Sequence, residues 1–269
     1  MRRHTLATGI GNLPRHRNLL VSLVRRDIET RFRGTMLGAL WAVLQPLLML
    51  SVYAFVFGGI FGTRWNQQGD LSEFVLMLYC GLIVHGLFSD TLSRAPSAVL
   101  STPGYVKKVV FPLELLPLAQ LASALFTAVI SVLLLCAWML LQRHSLPVTA
   151  LLAPLVLAPL LLLTSGLAWF LAALGVFLRD VGQIIQVAMS VLLFLSPVFY
   201  PASATPAAVR PWLHLNPLTW PMESLRAVLI SGIWPDWRLG LVYGAISCAV
   251  ALTGLWFFQR ARPAFADVI

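Results

Sequence analysis

The sequence predicts an all-α membrane protein: six transmembrane helices, preceded by an N-terminal amphipathic interfacial helix, with short re-entrant external helices before the last span. Three observations predict it. The 269 residues are 59% hydrophobic and 11% charged, with a mean hydropathy of +0.84, whereas an ordinary soluble domain carries about 25% charged residues. Apolar runs of about 20 residues, the length that crosses ~30 Å of hydrocarbon as a helix, recur along the chain. Eight of the nineteen Lys and Arg precede Gly34, a basic cluster of the kind that flanks a membrane on its cytoplasmic side. The alternating pattern of a β-barrel is absent from the sequence.

Residues 1–17 are basic and irregular. From 18 to 33 the pattern is helical: Leu20, Val24, Ile28 and Phe32 recur every four residues, with Val21 beside them, while Arg25, Arg26, Glu29 and Arg33 lie opposite. Asp27 and Arg31 fall on the apolar side, four residues apart, and are expected to pair with each other. This helix either only anchors the chain in the interface plane or also meets a partner protein; both readings stand. No cleavage pattern follows the first apolar run, so no signal peptide is expected.

The first span is expected at 36–61. Gly34 and Gly38 allow close packing, Pro46 is expected to kink the helix, and Trp41, Tyr53, Phe55 and Phe57 add aromatic surface. A polar loop follows, then a second span at 74–92 carrying His85 and Asp90. Those two have the H-x-x-x-x-D spacing of glycerolipid acyltransferases, in which the carboxylate orients a basic His. Nothing around them resembles the rest of such a site. Asp90 is expected to pair with Arg94 instead, and His85, nearer the midplane, to face protein or a water-filled path.

Residues 94–112 hold three basic side chains and a Pro103-Gly104 turn. Pro112 and Glu114 suit the start of the third span, at 113–141, by fixed φ and by the helix dipole. The fourth span, at 150–178, contains Pro154 and Pro159. Arg179 and Asp180 form a minimal charged turn before the fifth, at 182–200, which ends at Ser196-Pro197. Residues 201–237 are punctuated by six prolines and carry Trp212, Trp220, Trp234 and Trp237, the residue of the headgroup level. The last span is expected at 239–258.

Six spans place both termini on one side. Fourteen basic residues then lie on the side of the termini and five (Arg64, Arg143, Arg210, Arg226, Arg238) on the other, which makes the termini cytoplasmic and residues 201–237 external. The net charge of +9 is thus topological, and nucleic acid is not expected as a partner, because no soluble domain presents a basic face. Cys80, Cys136 and Cys248 lie in spans and lack metal spacing. No internal repeat and no phosphate-cradling G-x-x-x-x-G-K-[ST] occurs.

Four motifs occur in order: RRDIETRFRGTMLGALWAVLQPLL from Arg25, KKVVFPLELLPL from Lys107, LRDVGQI from Leu178 and LNPLTW from Leu215. Together with the span pattern they resemble the membrane subunit of type-2 ABC exporters, in particular the permeases for O-antigen and related lipid-linked polysaccharides. Teichoic-acid permeases are similar throughout; capsule permeases share the architecture, but the VVFPLELLPL element is closer to the first two. The resemblance implies a bacterial inner-membrane homodimer with two ABC ATPase subunits docked on its cytoplasmic side. It implies no cofactor in this chain, ATP and Mg belonging to the ATPase. It divides the chain into a cytoplasmic segment 1–33, a six-span domain 34–262 with a coupling region 94–112 and an external gate segment 201–237, and a cytoplasmic tail 263–269.

The resemblance also assigns residues. Ser97, Ala98, Val99, Leu100, Lys107 and Lys108 match the coupling helix that seats in the ATPase, and Arg179 and Asp180 the smaller second contact. Arg25, Arg26, Asp27, Arg31 and Arg33 belong to the interfacial helix framing the cytoplasmic entrance. Tyr53, Phe57, Tyr79, His85, Phe88 and Tyr200 are candidates to line a channel in which ring faces slide along sugars. Trp212, Asn216, Trp220, Glu223 and Arg226 belong to the external gate. The few charges within the spans suit a neutral sugar chain more than ion-coupled transport. Three other readings stay open: a type-2 ABC permease for a drug, lipid or other small molecule, which gene neighbourhood would separate; an acyltransferase using His85 and Asp90, which an actively exporting His85→Ala variant would remove; and a scaffold or receptor.

Overall fold

The computed structural model describes residues 16–32, 35–60, 62, 71–106, 111–206, 208 and 210–268. Every regular element among them is helical. Helix α1 (Arg17–Phe32) covers the stretch of the amphipathic pattern, with Leu20, Val24 and Ile28 half-buried as expected but Leu23 its buried residue and Val21 exposed. It is followed by α2 (Trp41–Tyr53), α3 (Leu71–Arg94), α4 (Leu115–Arg143), α5 (Ala153–Phe177), α6 (Val181–Leu195), the short α7 (Arg210–Leu215) and α8 (Thr219–Arg226), and α9 (Trp237–Ala261). With their helical extensions, α2, α3, α4, α5 and α9 are long and apolar enough to cross a membrane.

The fifth of the six expected spans ends at Ser196-Pro197, where the sequence marks its end, short of the outer bound at Tyr200. It stops at Leu195, leaving 15 residues, or about 22 Å at ~1.5 Å per residue. The cause is Pro197, which disfavours helical backbone at the residue before it; Ser196 is extended at φ −91°, ψ 152°. The remaining spans start and stop within a few residues of expectation. Helix α2 runs through Pro46 and passes into a π-helical turn at Ala54–Ile60. Helix α9 begins where the Asp236 side chain accepts from the Arg238 and Leu239 amides.

The helices alternate in direction, so α1, the loop after α3, the α5–α6 turn and the segment after α9 gather at one end, the α1 end. The turn after α6 and helix α8 lie at the other, the α8 end. The closest pairing is α5 with α9. A Cβ at Gly166 would collide with the backbone of Val250 and Ala251, and one at Gly254 with the backbone of Gly166; only glycines permit that approach. The larger core cluster joins α3, α4, α5 and α8, and a second lies at the α1 end around Val99, Trp169, Leu255 and Phe258. Helix α8 and its π-turn Ala227–Ser231 are sunk into the bundle, with Met222, Leu225 and Val228 fully buried. Their backbone is too short to cross but is satisfied within protein, as a re-entrant segment requires.

Candidate functional site

At the α1 end, α1 lies across the end of α3 and is tied to it by four alternating charges. Arg94 donates to Asp27 at 2.9 Å and to Asp90 at 3.2 Å, and Arg31 pairs with Asp90. The expected Asp90–Arg94 pair is therefore present, but the expected pairing of Asp27 with Arg31 within α1 is not. An i,i+4 pair on one helix is worth only a few tenths of a kcal/mol, whereas the contacts across helices are partly buried and two-pronged, Arg94 Nη1 reaching both oxygens of Asp27.

The loop after α3 is seated by the same elements. Ala95–Ser97 forms a 3-10 turn and Pro103–Val106 a single helical turn. Pro96 rests against α5 where Gly175 leaves no side chain, a Cβ there meeting the Pro96 backbone, and lies within reach of Gly182 at the start of α6. Ala98 and Val99 are buried and hold the loop down, Leu100 is half-buried, and Ser97, Arg179 and Asp180 face outward. The two stretches assigned to ATPase coupling, about eighty positions apart in sequence, thus share one surface. Lys107 and Lys108 lie outside the described residues, as does Arg33. Arg26, expected on the solvent face of α1, donates to the Tyr105 hydroxyl at 2.7 Å, with its guanidinium 5.6 Å from that ring's centroid. Arg25 pairs with Glu29 at the surface.

Between α2, α3 and α4 lies a cavity of about 410 Å³. Three of the six channel candidates, Tyr53, Tyr79 and His85, line it, together with Gln45, Thr127 and Ser131, and the Arg31–Asp90 pair lies at one end. His85 Nε2 lies 3.1 Å from the Met189 carbonyl; a carbonyl only accepts, so this nitrogen carries the proton and bridges α3 to α6. With His85 committed there and Asp90 to two arginines, the pair forms no His–carboxylate dyad. Phe88 is buried in the core. Phe57 stacks on Phe199 at 4.5 Å, Tyr53 meets Phe199 edge-on at 5.3 Å, and Phe194 lies 5.6 Å from the same ring. This aromatic cluster continues from the cavity toward the α8 end, beside Tyr200. Phe194 and Phe199 were missed by sequence reasoning; adjacency to Tyr200 was the only available signal.

At the α8 end, Arg226 is 2% exposed. Its Nε donates to Met77 O at 2.9 Å, Nη2 to Val198 O at 3.0 Å and Nη1 to Glu223 at 3.0 Å. It joins α8 to α3 and to the turn after α6. Asn216 donates to the Ser196 hydroxyl at 2.9 Å and accepts from the Leu218 amide, which sets the angle between α7 and α8. Trp220 Nε1 donates to Asp236 O, and Trp212 is exposed.

Glu114 stands at the N-cap position of α4, at the helix start where the sequence placed it. Its carboxylate does not cap α4 but meets Arg262 at 3.2 Å, and its carbonyl accepts from Trp169 Nε1 at 2.9 Å. Nothing in the sequence marks a pair 148 residues apart.

Comparison with known proteins gives a consistent picture. The chain is 28% identical to the O-antigen export system permease protein RfbA of Myxococcus xanthus over 97% of this chain and 98% of that protein. It is 21% identical to an O-antigen export system permease protein RfbA of Klebsiella pneumoniae over 94% and 95% of the two chains. The polysialic acid transport protein KpsM of Escherichia coli is 26% identical over 90% and 93%. The ABC-2 type transporter family matches residues 18–230, from α1 through the buried π-turn after α8. With its helical bundle and the site geometry above, the chain is an all-α membrane protein that belongs to the ABC-2 type transporter family.

Proposed function

We propose that this chain is the permease subunit of an ATP-driven exporter that moves a lipid-linked polysaccharide outward across a bacterial inner membrane. It works as a homodimer with two copies of a separate ABC ATPase, which supplies the ATP and Mg sites. The observation that carries this reading is the common surface formed at the α1 end by the loop after α3 and the Arg179-Asp180 turn. A partner that gripped this surface would act on α3, α5 and α6 at once. Full-length similarity to permeases named for O-antigen and polysialic acid export supports the substrate class. The excess of Lys and Arg at the α1 end supports placing that end in the cytoplasm, and the α8 end outside.

In this reading the permease makes and breaks no covalent bonds. Nucleotide-dependent docking at the α1 end favours one arrangement of the bundle over another, by as much as the partner's affinity differs between them. The exposed apolar faces of the π-turn after α2 and of α6, including Phe55, Val187, Val191 and Phe194, meet lipid or the second copy, and Tyr53, which lines the cavity, offers a ring face to sugar.

The test is reconstitution with the co-transcribed ATPase. The pair should co-purify, hydrolyse ATP and export polymer in a strain lacking the native permease. Reversing charge at Lys107 and Lys108 should cut ATPase retention while leaving membrane insertion unchanged. A purified pair with no ATP hydrolysis, or a strain whose surface polymer is unaffected by deleting the gene, would refute the reading.

A further inference from the structure

The segment after α9 makes two sets of contacts at the α1 end. Arg262 donates from Nη2 to the Phe111 carbonyl at 2.8 Å and pairs through Nη1 with Glu114 at 3.2 Å. Both partners sit where the loop after α3 rejoins α4, and the Glu114 side chain is only 11% exposed. Phe111 in turn stacks on Tyr105 with centroids 4.2 Å apart and planes 4° from parallel, and Tyr105 carries the Arg26 contact from α1. Three residues beyond Arg262, Phe265 is fully buried. It lies edge-on to Phe258 at 5.4 Å and 6.0 Å from Phe177, two positions before Arg179. One short segment therefore grips the exit of the first outward-facing stretch through Arg262 and the root of the second through Phe265.

We propose that residues 262–265 are a positioning element that ties the two docking stretches into one rigid unit, with Arg262 and Phe265 as the two points of attachment. The inference rests on the proposed function, since it assumes that this surface receives the ATPase. Pro96 already packs the start of the loop onto α5 and α6; without residues 262–265 its far end, at Tyr105 and Phe111, could be displaced without moving the α5–α6 turn. Tied, both stretches are displaced together, and a push on the loop reaches α5, α6 and α9. The contacts suit this role, because an arginine holding a backbone carbonyl and a carboxylate fixes orientation, and a buried ring between two others fixes distance.

The experiment compares wild type, Arg262→Glu, the reciprocal Arg262→Glu with Glu114→Arg, and Phe265→Ala, each expressed with the ATPase. For each, permease amount in the membrane, ATPase retained on purification, and polymer exported per ATP hydrolysed are measured. Arg262→Glu and Phe265→Ala should insert normally but lower export per ATP about tenfold, and the reciprocal pair should recover at least half of wild-type coupling. Hydrogen exchange on the wild-type complex supplies a readout that needs no variant: residues 98–106 and 262–268 should gain protection together on ATPase docking. Unchanged coupling in Arg262→Glu, or loop protection without tail protection, would overturn the inference alone. Wild-type permease that retains no ATPase would sink the functional reading first and this inference with it.

Discussion

The two ends of α3 are both held by an arginine, in opposite ways. Near its start, Met77 O accepts from Arg226, which is 2% exposed and bonds to a second backbone carbonyl besides Glu223. Near its finish, about 25 Å away at ~1.5 Å per residue, Arg94 shares itself between two carboxylates, one of which also serves Arg31. The first arrangement is anchored on the buried backbone of two elements, α3 and the turn after α6. The second adds one backbone carbonyl, Gln120 O at 3.1 Å from Arg94 Nη2, to a row of ion pairs whose side chains are about a quarter to a third exposed and share the carboxylate of Asp90 between two arginines. The α8 end is built as a fixed joint and the α1 end as one that can be re-set. A device that accepts work from outside needs the second kind at the surface where work arrives and the first kind where the bundle must hold.

The largest effect that tests this contrast is at Arg226. Arg226→Ala leaves two buried carbonyls and Glu223 without this donor, and removing one partner of a buried charged network costs about 3–5 kcal/mol. Melting of the detergent-solubilised protein should fall by roughly 2–4 °C per kcal/mol, and the loss should be independent of salt. Arg94→Ala should cost less, about 1–3 kcal/mol, from charged hydrogen bonds that water can partly replace. Its cost should shrink in about 1 M salt, where the Debye length is ~3 Å. Equal salt sensitivity at the two sites would abolish the distinction. At the bottom of the scale, Arg25 and Glu29 are 81% and 61% exposed, and Glu29→Ala should shift melting by no more than the equivalent of about 0.5 kcal/mol. A larger shift would mean that the outer face of α1 is covered in the assembled protein.

Much of this molecule is legible in its residues. The apolar runs locate the long helices because hydrocarbon thickness sets their length and unpaired backbone is excluded from it. The four-residue recurrence from Leu20 to Phe32 locates α1. The stop of α6 is written in Ser196-Pro197, a local signal that needs no tertiary partner. The site is less legible. Tyr53, Tyr79 and His85 share a cavity while Phe88 is buried in the core, and helical angles alone do not say which face of α3 meets which neighbour.

Charge partners divide along the same line. Asp90 with Arg94 follows from spacing on one helix, whereas Asp27 with Arg94, Arg31 with Asp90, and Arg262 with Glu114 follow from nothing local. By itself the sequence determined what depends on neighbours along the chain and on the solvent: which segments are helical, how long they run, and which end carries the positive charge. The tertiary structure alone decided which charges meet, that Arg226 is a buried joint, and that the last residues clasp the loop after α3. Gly81 leaves the space that the Arg226 guanidinium fills, and Gly166, Gly175 and Gly254 let α5 meet α9 and the loop after α3; pairwise contact between segments 59 to 151 residues apart leaves no periodic trace in either one.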